Sequence, residues 1–220
     1  MTPPAGTSDP TPANNSATDT TTITATWCLL DNFNRANAFT LAPNWGQLTV
    51  FGGAAVRVNA NQAFALINGQ AMWNPASAVF GPKQGAQITF ANSTLGNTSL
   101  ILKATGGTAS IPSKFIRVRY QTNNGGQVIV STTTNSGNTY NQLGPNLSAA
   151  FVNGDKLGAI VDALGAVSIY KTSGATGVTT LVGTRQAPAS GTSSFPGSGR
   201  IGIQMPTGGR IDNFSGGNTL

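Results

Sequence analysis

Ile116-Arg117-Val118-Arg119-Tyr120 alternates without a break: Ile116, Val118 and Tyr120 point one way, Arg117 and Arg119 the other. Period-2 alternation marks a strand with one buried and one wet face. Working outward in both directions, the pattern returns at Val56-Arg57-Val58, at Val128 and Val130, at Val167 and Ile169, and at Ile201, Ile203 and Met205. Between these runs stand Asn68-Gly69, Gly106-Gly107, Gly125-Gly126, Asn153-Gly154 and Gly208-Gly209, the punctuation of tight turns. Leu157 to Asp162, a turn at Leu164-Gly165 and Ala166 to Tyr170 read as a hairpin. The longest loops are expected at Ser131 to Asn141 and Gln186 to Gly199. No segment keeps a helical period beyond two turns. The reading is an all-β body.

Composition agrees. Of 220 residues, 28 are Gly and 12 are Pro, and only 8% are charged, against roughly 25% in an average domain. The length suits one domain with a tail. Residues 1–26 are rich in Thr, Pro, Ala, Ser and Asn and read as an extended low-complexity arm, unable to bury enough apolar surface to fold alone. Residues 27–220 read as the folded domain. Asp-Asn-Phe occurs at both ends of it, at Asp31 to Phe33 and Asp212 to Phe214. First and last strands are often neighbours in closed β architectures, so the two segments are predicted to lie side by side with Phe33 and Phe214 in the core.

The chain has no His and no Glu, and its six acids are Asp9, Asp19, Asp31, Asp155, Asp162 and Asp212. Without histidine no Ser-His-Asp or Cys-His catalysis is possible. Histidine and thiolate zinc sites are likewise excluded. A glutamate pair for glycoside hydrolysis is missing, although an aspartate pair is formally available. The expectation is a protein without enzymatic activity. The single cysteine, Cys28, is expected to be a small buried hydrophobe.

The net charge is +6, a balance that admits an anionic glycan or the acidic face of another protein as partner. Otherwise the charge reads as spread, solubilising surface charge: Lys83, Lys103, Lys114, Lys156 and Lys171 are well separated, and only Arg117 and Arg119 stand together, which argues against nucleic acid. The N-terminal stretch has no basic region followed by an apolar one, so synthesis in the cytoplasm without an export signal of its own is expected. No apolar run approaches the ~18 residues of a transmembrane helix, so no membrane partner is expected.

Three motifs resemble a known family. Asp31-Asn32-Phe33-Asn34-Arg35-Ala36-Asn37 followed by Leu41-Ala42-Pro43-Asn44-Trp45 is similar to the opening D-x-F-x-R-A-x-G-x-L-G-x-x-W of concanavalin A-like, laminin G-like sandwich domains. Ala71-Met72-Trp73-Asn74-Pro75, then Phe80-Gly81-Pro82-Lys83-Gln84, resembles the second motif, an aromatic-W-N segment and F-G-P-D-Q. Gly209-Arg210-Ile211-Asp212-Asn213-Phe214-Ser215-Gly216-Gly217 resembles the closing R-x-D-x-F-x-G-G. The motifs come in family order. Lys83 stands where the family has an acid, and Ala38 where it has glycine.

The resemblance implies a two-sheet antiparallel jelly-roll sandwich. Such domains are common in tailed-phage virion proteins. The implied function is therefore that of a structural or accessory virion protein on the virion surface. Capsid decoration is expected, with capsid or tail proteins and sister subunits of a homo-oligomer as partners through residues 1–26. The alternative is a carbohydrate-binding module or tail adhesin that binds host or mucus glycans.

Several residues are candidates for contacts. Tyr140, in the polar loop Thr134 to Gln142, is placed as an exposed ligand contact. Arg117 and Arg119 share one strand face and can meet acidic groups. Asp31 and Asp212 can share a calcium ion if their strands are adjacent, since calcium collects oxygen ligands; otherwise Asp31 pairs with Arg35 or Asp212 with Arg210. Trp45 and Trp73 can stack on sugars or fill the core, and the core is the expectation.

Overall fold

The computed structural model describes residues 27–50, 53–74, 79–188, 190–191 and 194–219. The expected arm, residues 1–26, lies outside the described residues, as does Pro75 of the second motif. The alternating runs of the sequence become strands. The first part of the chain supplies β1 (Cys28–Asp31), β2 (Trp45–Gln47), β3 (Thr49–Val50), β4 (Gly53–Ala54), β5 (Val56–Asn59), β6 (Gln62–Ala65) and β7 (Gly69–Trp73). The middle supplies β8 (Gln84–Asn92), β9 (Ser99–Thr105), β10 (Lys114–Gln121), β11 (Gln127–Thr133), β12 (Asn141–Gln142) and β13 (Leu147–Ser148). The hairpin expected from Leu157 onward is β14 (Lys156–Val161) and β15 (Ala166–Thr172), followed by β16 (Thr179–Gln186), β17 (Arg200–Met205) and β18 (Arg210–Asn218).

These strands form two large antiparallel sheets, a jelly-roll sandwich. Sheet one runs β16-β15-β14-β8-β18-β6-β5, with β1 also paired to β18. Sheet two runs β12-β11-β10-β9-β17-β7-β2, with β13 also paired to β11. A small ribbon, β3-β4, stands apart. The apolar residues of each alternating strand meet between the sheets: Ile116, Val118 and Tyr120 from β10 pack in one core with Ile88 and Phe90 from β8 and Phe214 from β18. Burying such faces, at about 25 cal/mol per Å² of apolar surface, is what holds the sheets together.

The two Asp-Asn-Phe segments are neighbours, with Asp31 opposite Phe214 in the β1-β18 register. Phe33 and Phe214 are both fully buried. Trp45 and Trp73 are core residues at 6% and 7% exposure. Trp45 packs edge-on against Trp73, with ring centres 5.4 Å apart, and against Phe214 at 4.9 Å. Ala38, where the motif has glycine, forms an antiparallel bridge with Val58 and needs no left-handed backbone, so alanine serves there.

Two expectations are corrected. Cys28 is exposed, not buried, because β1 pairs only with β18 and leaves its first residues at the sheet margin. Lys103 is not a solvated surface base but is 1% exposed. Its ammonium donates to the carbonyls of Pro82 and Gly197. Its backbone N–H donates to Gln84 Oε1 at 2.8 Å, and Gln84 Nε2 reaches Gly81 O at 3.0 Å and Gly199 O at 3.2 Å. The Gln of the second motif thus ties two loops to β9, as buried polar groups must be hydrogen-bonded.

A candidate ligand-binding face on sheet two

The strand register decides what stands on the outer face of sheet two. One row across the sheet is Ile129, Arg119, Ser99, Gln204 and Gln70. The next is Ser131, Arg117, Ile101, Gly202 and Met72. The first row is polar over four adjacent strands, β10, β9, β17 and β7. The second ends in an apolar patch, where Met72, Ile101, Ala104 and Phe115 cluster outside the main core with Tyr140 packed against them.

Tyr140 is brought here by the loop 134–140. Asn135 organises this loop: its Oδ1 accepts from Thr133 Oγ1 and the Thr139 N–H, both at 3.0 Å, and its Nδ2 donates to Thr139 Oγ1 at 2.8 Å. The Gly137 N–H donates to Thr133 Oγ1 at 3.0 Å. The loop folds back so that the Arg117 guanidinium carbon lies 3.3 Å from the centre of the Tyr140 ring. Gln204 Nε2 donates to the Tyr140 hydroxyl at 3.4 Å and to Gln70 Oε1 at 3.3 Å. Three of the residues singled out in the sequence, Arg117, Arg119 and Tyr140, therefore meet on one surface.

Beside them opens a depression of about 460 Å³, lined by Leu48, Gln70, Asn97, Arg117, Arg119 and Gln204 among others. Gln70, Gln204 and Asn97 were not singled out in the sequence. Each comes from a different part of the chain, and only the strand order β10-β9-β17-β7 aligns them. Both arginines are half-buried. Burial pushes the Arg117 guanidinium down to about 10, partly offset by the nearby Tyr140. Burial also lowers Arg119, again partly offset by Tyr140. Desolvation disfavours a charged form, which is the physical cause in both.

The remaining candidates lie elsewhere. Asp31 is committed: Oδ1 accepts from the Phe33 N–H at 2.8 Å and Arg35 Nη1 at 2.6 Å. Oδ2 accepts from Arg35 Nη2 at 3.0 Å and Trp45 Nε1 at 2.7 Å. Asp212 Oδ1 accepts from the Asn213 N–H at 2.8 Å. Among the described residues no three His, Cys, Asp or Glu side chains group as metal ligands. The Asp31 carboxylate thus serves the first motif itself, joining its Asp, Arg and Trp. Among the described residues no helix is long and apolar enough to cross a membrane.

No family model and no curated protein matches the sequence. Solved structures do. A GH43 protein from Bacillus licheniformis overlays with a TM-score of 0.54 at 11% identity, over 86% of this chain and 39% of that one. A Bacillus subtilis protein of unknown function with a galectin-like fold overlays at TM-score 0.49 and 9% identity, over 71% of this chain and 81% of that one. Lectin II from Ulex europaeus overlays at 0.46 and 10% identity, over 84% of this chain and 98% of that one. The overlay on the GH43 protein carries the fold, and the chain spans 39% of that protein's length.

The comparison also corrects the expectation of a protein without enzymatic activity. The sandwich of this chain overlays part of a GH43 protein, GH43 being a family of glycoside hydrolases. A lack of His and Glu in one sandwich therefore does not decide whether glycan cleavage occurs, since aspartates and neighbouring chain can supply acids. An assay for glycan cleavage decides it.

Proposed function

We propose that the protein is a carbohydrate-binding sandwich acting as an accessory protein of a tailed-phage virion. The outer face of sheet two is its glycan-binding surface, and residues 1–26 are its attachment to capsid or tail proteins and to sister subunits. One observation carries the glycan reading: two guanidinium groups and several carboxamides line a single depression, and the Tyr140 ring stacks on one of those guanidinium groups beside it. Sugars offer apolar ring faces and hydroxyls that both donate and accept. Aromatic rings suit the first, and Asn and Gln carboxamides, with a donor and an acceptor each, suit the second.

The virion reading is supported by the motif resemblance and by Trp27. This first described residue lies on the outer face of sheet one, against Gly85 and Gly158: a Cβ on either glycine would come within 2.8 or 2.9 Å of the indole. Trp27 thus lies on the face opposite the depression. Attachment and ligand binding then use separate sides.

Binding of the full chain to a broad glycan panel tests the first part. At least one glycan binds, and Gln70→Ala and Tyr140→Ala each weaken it about tenfold, a loss of about 1.4 kcal/mol. Gln70 lines the depression, and its loss is expected to leave the fold intact. A panel without a single binder removes the glycan reading.

A further inference from the structure

We infer that the depression selects acidic glycans, with the Arg117–Arg119 pair receiving a carboxylate-bearing sugar. The inference rests on the glycan reading of the same face and adds the ligand's charge.

The argument starts from what the two arginines lack. Among the described residues the ion pairs are Arg35 with Asp31 and Lys171 with Asp155. Among the described residues neither Arg117 nor Arg119 has a carboxylate partner. They sit two residues apart on one strand, hence on one face and about 7 Å apart along it. Two like charges at that spacing repel, and partial burial strengthens the repulsion by lowering the local dielectric. The Nε atoms of both are buried without a hydrogen-bond partner. The nearest company is neutral: the Tyr140 ring beneath Arg117 and Asn97 Oδ1 at 3.4 Å from Arg119 Nη1.

Such an arrangement costs stability in the unliganded protein. Groups held in an unfavourable state cluster where a ligand relieves them. A guanidinium presents parallel N–H donors that match the two oxygens of a carboxylate. Stacking on Tyr140 fixes the plane of Arg117 before any ligand arrives, which lowers the ordering cost on binding. Burial also depresses the proton affinity of both guanidinium groups, as expected of cations placed without counter-charge. Gln70 and Gln204 flank the pair and stand where the hydroxyls of the same sugar can be met. A neutral glycan uses the carboxamides and ring but leaves the charge unanswered.

The test is calorimetric titration of the full chain at physiological salt. The probes are oligogalacturonate, oligomannuronate and sialyl-lactose, each beside its methyl ester, with polyglutamate as an anion that is not a sugar. At least one acid binds ten times more tightly than its ester. Arg119→Gln abolishes that preference without lowering the thermal midpoint, since it removes a repelling charge. Arg117→Lys keeps the charge but loses the fork and the stacking, and also reduces the preference. If glycans bind but no acid exceeds its ester, the inference is overturned while the glycan reading stands. If polyglutamate binds as tightly as the acids, the face is merely electrostatic and the inference is overturned. If no acidic or neutral probe binds, both fall together.

Discussion

Asp155 shows how much this weakly charged chain asks of each charge it has. It is 2% exposed. Its oxygens accept from the Gly174 N–H at 2.9 Å and the Val152 N–H at 3.0 Å, and the Lys171 ammonium stands at 2.9 Å. Burial alone raises a carboxyl pKa, but the two N–H donors and Lys171 outweigh it and hold Asp155 below the ordinary carboxylate range. The sign follows from linkage. A depressed folded-state pKa contributes stability that is fully present above the unfolded value, about 3.9, and is lost as pH falls through the folded value. Urea midpoints therefore hold level from pH 7 to about 5 and drop below about 4. Asp155→Asn lowers stability at pH 7 by about 1–3 kcal/mol, through the charge-assisted bonds it removes. It also flattens the acid limb, and an unchanged limb in that variant would exclude this role. Asp31 accepts two donors on each oxygen, which explains why the first motif needs its Asp, Arg and Trp together.

Among the elements, loop 134–140 bears most on the proposed function. Gly137 has a φ of +84°, which side chains with a Cβ rarely adopt, and a Cβ there would come within 2.7 Å of the Tyr140 hydroxyl. Gly137→Val strains the turn, costing about 1–3 kcal/mol, and pushes Tyr140 off Arg117. Glycan affinity falls as in Tyr140→Ala, and near-ultraviolet circular dichroism of the tyrosine changes with it. A variant that keeps full affinity would show that the stacking is dispensable. The same scale shows what sequence can reveal. The alternation at Ile116 to Tyr120, the hairpin from Leu157 and the pairing of the Asp-Asn-Phe segments are local patterns or end-to-end symmetries, and all are found in the structure. Arg117, Arg119 and Tyr140 were also visible, because adjacent arginines and a tyrosine in a polar loop stand out. Their contact was not visible, because it depends on the loop folding back. Gln70 and Gln204 carry no local signal: only the β9-β17-β7 order makes them neighbours. Cys28 and Lys103 deceived for a related reason. Apolar character implies burial only when a strand has partners on its buried side, and a lysine escapes water when backbone carbonyls receive its ammonium.

The whole molecule has two outer faces to which the proposed function assigns different occupants, and its last prediction concerns their separation. The core joining Phe33, Trp45, Ile116 and Phe214 lies within residues 27–220, so removing residues 1–26 leaves its apolar burial intact. A chain of residues 27–220 is expected to melt within about 2 °C of the full chain, since about 1 kcal/mol shifts the midpoint of such a domain by roughly 2–4 °C. Its glycan affinity is unchanged, because the depression faces away from Trp27. Attachment to the virion is lost, because the proposed contacts reside in the missing residues. Immunogold electron microscopy of particles reconstituted with each form reads this directly. Gold over capsids or tails with the full chain and bare particles with the short one supports attachment through residues 1–26. Equal labelling would move the attachment onto the body, and gold on cells with bare virions would remove the virion role altogether. Gly158→Val separates the seat of Trp27 from the rest, because it fills the groove under the indole and leaves both the core and sheet two untouched. If it weakens virion labelling as truncation does, the direction in which Trp27 launches the chain matters, and the two faces work as an anchor and a receptor set back to back.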